Sequence, residues 1–288
     1  MKKKLLFGVS GWDYVDWRGP LYPTRPPRGF RALPLLARFL DFMEVNVTFY
    51  RPLGGSVAQR WLQETPPRFQ FVVKAFGGWT HRGEKPEGEA LTRFREIIDP
   101  ILGSQRLAGV LVQYPPSFRD TKASREELIH LRDALTPARV FVEVRSRALY
   151  RVSFLSFLES HDLNFVNVDL PEMGTLPRMT RINTGPQAFL RLHGRNALAW
   201  ANPRAGRDQR YDHQYSREEL SELLEVVGTL LERAPTVLVG ANNHFRAQAP
   251  AAMVLMRSLW QQQKVPAPSS LLEAYPELRE HAYPLTEE

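Results

Sequence analysis

Cysteine is absent from the chain of 288 residues, and its absence excludes several kinds of chemistry. Disulfide bridges, thiolate zinc sites, iron–sulfur clusters and cysteine nucleophiles all need a side chain that the sequence does not contain. The sequence also lacks a His-Glu-x-x-His zinc motif, a Gly-x-Gly-x-x-Gly loop, a Walker loop and a Gly-x-Ser-x-Gly nucleophile elbow. We therefore predict no cofactor, although carboxylates and histidines on several strands leave a divalent metal ion open.

Long apolar runs are also missing. Met1 begins a stretch that resembles the start of a signal peptide, with three lysines followed by Leu5, Leu6 and Phe7. This apolar run stops at Gly8, which makes it too short for a signal peptide, and no small-residue cleavage site follows. No other stretch approaches the roughly 18 apolar residues of a membrane-spanning helix. We expect a cytoplasmic protein without a membrane partner.

Acidic residues are fewer than basic ones. The chain has 31 aspartates and glutamates against 38 lysines and arginines, which gives a net charge of +7. A basic balance favours an anionic partner, either an anionic small molecule or a nucleic acid. The arginines are scattered rather than clustered, however, and scattered arginines also occur on ordinary protein surfaces. Composition therefore leaves the kind of partner open, and it does not indicate an oligomeric state.

Short apolar or alternating runs recur along the chain and are separated by amphipathic stretches. The runs that predict strands cover residues 5–10, 42–49, 69–75, 109–113, 140–145, 165–169, 189–193 and 237–241. Helical periodicity covers residues 33–40, 56–64, 90–102, 124–135, 152–161, 216–233 and 248–263, while residues 171–186 and 195–213 are typical of long loops. Eight strand–helix units in about 250 residues favour a closed parallel barrel. We predict an α/β fold, a single-domain (β/α)8 TIM barrel over residues 1–265, with residues 266–288 as a loosely packed tail.

Polar side chains stand at alternate positions near the ends of four predicted strands. The pairs are Glu44 and Asn46 on strand two, Glu143 and Arg145 on strand five, Asn167 and Asp169 on strand six, and Arg191 and His193 on strand seven. Successive side chains of a strand face opposite sides, and the apolar set should pack against the helices, so we expect the polar set to face the lumen. Lys74, Gln113 and the pair Asn242-Asn243 close strands three, four and eight. Barrel enzymes place their active sites at this end of the strands.

A charge buried without a partner is strongly unfavourable, so these groups must pair with one another, bind a ligand, or do both. An ion-pair network that satisfies itself, such as Glu143 with Arg145 or Arg191, is one interpretation. A ligand site is the other, and it is favoured because so many strands contribute polar groups at the same level. Lys74, Arg145 and Arg191 would repel a cation, so we assign no metal ligands.

Aromatic residues follow several of the same strands, which is typical of a small-molecule or nucleobase pocket. The residues that we assign to catalysis are Glu44, Glu143, Asp169 and His193, with one of the two glutamates as general base and His193 as general acid. The residues that we assign to substrate binding are Trp12, Asn46, Tyr50, Lys74, His81, Gln113, Arg145, Arg191, Asn242 and Asn243.

The strand ends also carry a family resemblance. The matching stretches are Gly8-Val9-Ser10-Gly11-Trp12, Glu44-Val45-Asn46-Val47-Thr48-Phe49-Tyr50, Phe71-Val72-Val73-Lys74-Ala75, Leu111-Val112-Gln113-Tyr114-Pro115-Pro116, Val142-Glu143-Val144-Arg145 and Arg191-Leu192-His193-Gly194. With Thr80-His81, Asp169 and Asn242-Asn243, the chain resembles the YecE-like family, domain-of-unknown-function family 72, from residue 6 to about 260. The resemblance implies a TIM barrel and no particular reaction. Ala241 stands where family members often have an aromatic residue, and the loop after Gly194 offers Trp200 and Tyr211 as its nearest aromatic residues.

Three functional hypotheses fit these residues. The first is an enzyme that acts on an anionic, phosphate-bearing substrate held by Lys74, Arg145 and Arg191. The second is a nucleic-acid-binding protein or an endonuclease-like barrel, in which bases stack on the aromatic rim. The third is a sugar or sugar-phosphate isomerase-like enzyme. Tight binding without turnover would need the same residues, so the sequence alone does not separate an enzyme from a ligand sensor.

Overall fold

Eight parallel strands form a closed barrel in sequence order, and the last strand pairs with the first. The structure is a computed structural model that describes residues 3–51, 53–174 and 176–286. The strands of the barrel are β1 Lys4–Ser10, β2 Phe42–Val45, β3 Gln70–Lys74, β4 Leu107–Gln113, β5 Val140–Glu143, β6 Leu163–Asp169, β7 Gln187–Leu192 and β8 Thr236–Ala241. The predicted (β/α)8 TIM barrel is therefore confirmed. Residues 1, 2, 52, 175, 287 and 288 of the predicted ranges lie outside the described residues.

Helices alternate with the strands and cover the outside of the barrel. They are α1 Ala32–Leu36, α2 Val47–Tyr50, α3 Ser56–Glu64, α4 Gly77–His81, α5 Gly88–Gly103, α6 Lys122–Leu135, α7 Val152–Ser160, α8 Ala197–Ala201, α9 Arg207–Arg210, α10 Arg217–Arg233, α11 Gln248–Gln261 and α12 Ser269–Ala274. Capping boxes start α6 at Thr121 and α10 at Ser216, where a side chain accepts a backbone N–H that the helix leaves unpaired. The helical periodicity of the sequence predicted the longer helices to within two residues at each end.

Strand two is shorter than predicted. β2 ends at Val45, and the residues expected to continue it form the single-turn helix α2. The hydroxyl of Thr48 lies 3.3 Å from the Val45 carbonyl and 2.6 Å from the Lys74 carbonyl, so it binds backbone acceptors at the ends of two strands. These tertiary hydrogen bonds outweigh the preference of a β-branched run for extended structure.

Apolar side chains from all eight strands line the lumen. This cluster consists of Leu6, Phe42, Val72, Ala108, Leu111, Phe141, Val166, Val168, Leu170, Phe189 and Leu238. The ring of Phe189 lies 6.0 Å from that of Phe42 and 5.3 Å from that of Phe141. Gly8 makes room for these rings, because a Cβ atom there would lie 2.6 Å from Cδ1 of Phe42. We call Phe42, Phe141 and Phe189 the phenylalanine floor.

Strand six faces the opposite way from the prediction. Val166 and Val168 belong to the lumen cluster, so the side chains of Asn167 and Asp169 point outward. No helix is formed by the described residues of 171–186, and Asn167 binds this segment instead. Its Oδ1 accepts hydrogen bonds from the Thr180 hydroxyl and the Ile182 amide, and its Nδ2 donates to the Ile182 carbonyl. Asn167 therefore holds the segment that replaces a helix.

The C-terminal segment is packed more closely than the predicted loose tail. Short strands β9 Val265–Ala267 and β10 Ala282–Pro284 pair in parallel and enclose α12. Leu271, Leu272 and Leu278 are buried in the main apolar cluster. Ser270 donates a hydrogen bond of 2.9 Å to the Leu21 carbonyl, which ties this segment to the loop after β1.

None of the helices in the described residues is both long enough and apolar enough to cross a membrane.

Candidate functional site at the barrel mouth

Arg191 on β7 holds the carboxylates of two other strands inside the barrel. Its Nε lies 2.8 Å from Oε2 of Glu44, and its Nη2 lies 2.6 Å from Oε1 of the same carboxylate. Its Nη1 donates to Oε2 of Glu143, and Nη2 also reaches the Ser10 hydroxyl at 3.3 Å. Glu44, Glu143 and Arg191 come two residues after Phe42, Phe141 and Phe189 on the same three strands, so the ion pairs lie directly above the phenylalanine floor.

These three side chains are fully buried, and each of them is part of an ion pair. Burial alone would raise the pKa of Glu143, but Arg145 and Arg191 outweigh it and hold that pKa well below its usual range. Burial likewise opposes the charge of Arg191, yet Glu143 and Glu44 outweigh it and raise the pKa. The interpretation as a mutual ion-pair network therefore holds for Arg191, which is saturated by protein carboxylates.

Arg145 and His193 extend the network toward the mouth. Nε of Arg145 lies 2.5 Å from Oε1 of Glu143, a close ionic contact that is not aligned as a hydrogen bond. Nη2 of Arg145 lies 3.2 Å from Nε2 of His193, and the amide of Asn242 lies 3.1 Å from Nδ1. Burial and the charge of Arg145 lower the pKa of His193 to about 3, so the imidazole is neutral. Because Arg145 can only donate, Nε2 is the acceptor, and Nδ1 carries the proton of the neutral ring and faces the amide of Asn242; the two contacts fix the orientation of the ring.

Lys74 at the end of β3 has a different environment. Its Nζ donates a 3.0 Å hydrogen bond to Oε1 of Gln113 and lies 4.4 Å from the centre of the Phe49 ring. Burial and the charge of Arg191 lower its pKa to about 8. Within the described ranges, no carboxylate pairs with this ammonium group, whereas Arg145 and Arg191 both contact Glu143. We call Glu44, Lys74, Glu143, Arg145, Arg191 and His193 the charged layer.

Asp169 does not belong to the charged layer, contrary to its assignment as a catalytic residue. Its carboxylate points outward and binds Nε of Arg195, 3.0 Å from each oxygen, and the Tyr215 hydroxyl at 2.5 Å. Burial raises its pKa despite the hydrogen bond from Arg195. These contacts fasten both ends of the β7–α10 loop to the end of β6, so Asp169 is placed for a structural role.

The ring of Trp12 faces α3. It packs edge-on against Trp61 at 5.6 Å, and both residues line a cavity of about 320 Å³ that Tyr14 also lines. Asn243 is fully buried, and its Nδ2 donates to the His213 carbonyl at 2.8 Å, where it supports the backbone. In the described residues, the buried Oδ1 of Asn243 has no hydrogen-bond partner.

The remaining predicted residues lie around the mouth. Tyr50 and His81 pack against the ring of Phe49 at 5.2 Å and 5.1 Å, beside Lys74. Asn46 follows β2, and in the described part of the chain its buried Oδ1 has no hydrogen-bond partner. The structure therefore brings together most of the predicted site. The members that it gathers in the lumen or at its rim are Glu44, Asn46, Tyr50, Lys74, His81, Gln113, Glu143, Arg145, Arg191, His193 and Asn242.

The loop between β7 and α10 covers the mouth with residues that the sequence did not assign to the site. Tyr211 lies 6.0 Å from the ring of His193, and Trp200 packs against the apolar lumen cluster. Arg207 of α9 lies over the ring of Tyr14 at 6.0 Å. His244 packs between Tyr14 and Tyr211. His244 directly follows the pair Asn242-Asn243, and this position at the end of β8 was the signal that could have identified it.

The sequence assigned no metal ligands but left open whether a divalent metal ion binds. In residues 3–51, 53–174 and 176–286, no three histidine, aspartate or glutamate side chains are grouped as a metal ion would require.

Charged side chains at the carboxyl ends of parallel barrel strands define a TIM-barrel protein with a candidate site in the position that this fold generally uses. The chain belongs to the family described as "Protein of unknown function DUF72", whose family model matches residues 6–274. This match confirms the family predicted from the residues at the strand ends.

Known relatives support this assignment over most of the chain. The UPF0759 protein YunF of Bacillus subtilis is 28% identical over 254 residues, which span 83% of this chain and 89% of YunF. A DUF72 family protein from Thermotoga maritima is 30% identical and has a TM-score of 0.77, over 90% of this chain and 99% of that one. Another from Enterococcus faecalis is 24% identical, with a TM-score of 0.79 over 89% and 95% of the two chains. The descriptions of these relatives name no substrate.

Proposed function

We propose that the chain is an enzyme that acts on a small anionic, phosphate-bearing substrate in the mouth of the barrel. The observation that carries this proposal is the charge balance of the charged layer. Lys74, Arg145 and Arg191 supply three positive charges, Glu44 and Glu143 supply two negative charges, and His193 is neutral. One positive charge therefore remains uncompensated in a buried site, where an anion is strongly favoured.

Lys74 is the cation best placed to contact that anion. Arg191 is saturated by Glu44 and Glu143, whereas the ammonium of Lys74 has one protein acceptor, the neutral Gln113. An ammonium group has three donors, so two remain for phosphate oxygens. Arg145 lies closer to the mouth than Arg191 and is positioned as the second contact through its free donors.

The acid–base groups are Glu143 and His193 in this proposal. In the unliganded site, the low pKa values of both groups make them weak bases. A bound anion beside Arg145 offsets the positive charge that lowers these pKa values, so both rise when substrate binds. Substrate binding would then bring the two groups closer to the range in which proton transfer is efficient.

The depth of the site supports a small molecule over a nucleic-acid chain. Glu44, Glu143, Arg191 and His193 are fully buried, and the ring of Tyr211 packs 6.0 Å from that of His193. Nucleic acids are bound mainly through phosphates along exposed basic surfaces, and their affinity falls steeply with salt. A small ligand held by the single ammonium of Lys74 above fully buried ion pairs predicts a weak dependence on salt.

Phosphate titration tests the proposal with a matched pair of lysine variants. We expect inorganic phosphate to bind the wild-type protein at pH 7 by isothermal titration calorimetry. Lys74→Met should weaken binding about 10- to 100-fold, since a hydrogen bond to a charged group contributes about 1.5–3 kcal/mol. Lys122→Met removes a lysine from the surface of α6, where its side chain is 92% exposed, and should leave the affinity unchanged.

The pH dependence gives a second, independent measurement. Because the pKa of Lys74 is lowered to about 8, the free protein loses the ammonium charge above that pH, and phosphate affinity should fall from pH 8 upward. Absence of phosphate binding to the wild-type protein, or equal binding by Lys74→Met with unchanged circular dichroism, would contradict the proposal.

A further inference from the structure

His244 is a buried histidine that has no partner for its polar atoms in the described part of the chain. It is 3% exposed, and neither Nδ1 nor Nε2 has a hydrogen-bond partner. A carboxylate oxygen, Oδ1 of Asp208, lies 3.8 Å from Nε2, which is beyond hydrogen-bond distance. Burial and the charge of Arg207 lower the pKa of His244 to about 4, so the neutral ring forms no ion pair with Asp208.

The backbone and two tyrosines hold this ring at the rim of the mouth. The carbonyl of His244 accepts a 2.6 Å hydrogen bond from Nε1 of Trp17. The imidazole lies 4.5 Å from the ring of Tyr14 and 5.4 Å from that of Tyr211. Tyr14 donates to the Ser10 carbonyl at 2.8 Å, at the strand end where Ser10 also contacts Arg191. His244 is therefore fixed beside the charged layer, on the side of β8 and β1.

Lys74 lies on a different side of the mouth, because three strand-to-strand steps separate β8 from β3 around the barrel. A phosphate held by Lys74 would leave the rest of its ligand to extend toward His244. A neutral imidazole offers one donor and one acceptor, and leaving both unsatisfied in a buried site is unfavourable. The rings of Tyr14 and Tyr211 add aromatic surface beside the same nitrogens.

We propose that His244 hydrogen-bonds the non-phosphate part of the substrate, and that this part is a ring bearing hydrogen-bonding groups. This inference rests on the proposed function, since it assumes that the phosphate occupies the site at Lys74. Phosphorylated sugars and nucleotides share this chemistry, since in both a polar ring is attached to a phosphate ester. Tyr14 and Tyr211 pack against the faces of the substrate ring, while His244 hydrogen-bonds the polar edge of that ring.

Three probes separate the two parts of the ligand: inorganic phosphate, ribose 5-phosphate and adenosine 5′-monophosphate. The quantity measured is the ratio of ester affinity to phosphate affinity, by calorimetry, for each protein. In the wild type we expect at least one ester to bind more tightly than phosphate. His244→Phe keeps an aromatic ring and removes both nitrogens, and it should lower that ratio about 5- to 30-fold, as expected for the loss of one or two hydrogen bonds of about 1 kcal/mol each.

Two further variants make the result specific. His244→Gln keeps a donor and an acceptor and should restore part of the ratio, whereas a merely structural role in packing would make it no better than His244→Phe. His130→Phe changes an exposed histidine of α6 and should leave every affinity unchanged. The preferred ester identifies the ring, because ribose 5-phosphate lacks the base.

The outcomes distinguish this inference from the function on which it rests. If Lys74→Met binds phosphate as well as the wild type does, the proposed function fails. If phosphate binding depends on Lys74 but His244→Phe leaves the ester-to-phosphate ratio unchanged, the role of His244 alone is wrong. The inference about His244 is likewise overturned if neither ester binds the wild type more tightly than phosphate.

Discussion

Replacing Arg191 with methionine should destabilise the protein strongly at neutral pH. Glu44 receives both of its described side-chain hydrogen bonds from Arg191, so Arg191→Met leaves a fully buried carboxylate without a partner. Breaking a buried ion pair in this way costs about 3–5 kcal/mol. For a chain of this size, a loss of about 3–5 kcal/mol lowers the melting temperature by roughly 6–20 °C.

The loss of stability caused by Arg191→Met should become smaller as the pH falls. In the wild type, the pKa of Glu143 lies below its unfolded value, so its stabilising contribution is complete above about pH 4.3 and is lost as the pH falls through the folded pKa. In Arg191→Met, the unpaired Glu44 carboxylate gains stability by taking up a proton on acidification. Protonation of the unpaired carboxylate narrows the difference between the two free energies of unfolding between pH 7 and pH 4, whereas the loss at Glu143 adds to this narrowing only below about pH 4.3.

Thermal and urea unfolding at pH 7 and pH 4 measure both parts of this prediction. Arg93→Met is the control, because Arg93 forms only exposed ion pairs on α5, 3.7 Å from Glu89 and 3.6 Å from Glu96, which contribute less than about 1 kcal/mol. If Arg191→Met costs no more than Arg93→Met at pH 7, or costs the same at pH 4 as at pH 7, the account of the charged layer is wrong.

Two further predictions concern the floor and the mouth. Gly8→Ala should destabilise the fold by about 1–3 kcal/mol, because its Cβ atom would overlap Phe42. Gly228→Ala in α10 has open space around it and should stabilise the fold by about 0.5–1 kcal/mol. Chemical unfolding of both variants measures the difference, and equal effects would contradict the packing of the floor. The ring of His193 should stay neutral down to pH 5, since its pKa is lowered to about 3; nitrogen NMR of the imidazole measures this, and a midpoint near 6.5 would refute it.

The fold could be predicted because the strands of a parallel barrel alternate with amphipathic helices that carry their own periodicity. The bounds of α3 and the end of α6 follow from apolar spacing, whereas the cap at Thr121 starts α6 two residues before the predicted helix. The end of β2 could not be predicted, because Thr48 stops the strand through a hydrogen bond to Lys74, a contact between distant parts of the chain. Such tertiary hydrogen bonds leave no local pattern in the sequence.

Alternation predicted the charged layer on β2, β5 and β7 and failed on β6. A barrel strand is buried on both faces, so polarity alone does not tell the lumen from the helix layer. On β7, Arg191 faces carboxylates across the lumen; on β6, Asp169 faces Arg195 and Tyr215 outside it. His244 was missed for another reason: it lies in a loop, where no period indicates the direction of a side chain.

The phenylalanine floor has a consequence for how this barrel could be redesigned. Each of these large rings is paired with a glycine whose missing side chain leaves room for it. A Cβ atom on Gly240 would lie 3.0 Å from Phe189, and one on Gly109 would lie 2.5 Å from Phe141. Members of such a pair should change together across related sequences, since enlarging one demands a smaller neighbour. Exchanging volume within a pair, as in Gly240→Ala with Phe189→Leu, would remodel the bottom of the pocket while leaving every charged residue in place. Shape and charge can therefore be engineered as separate variables in this protein.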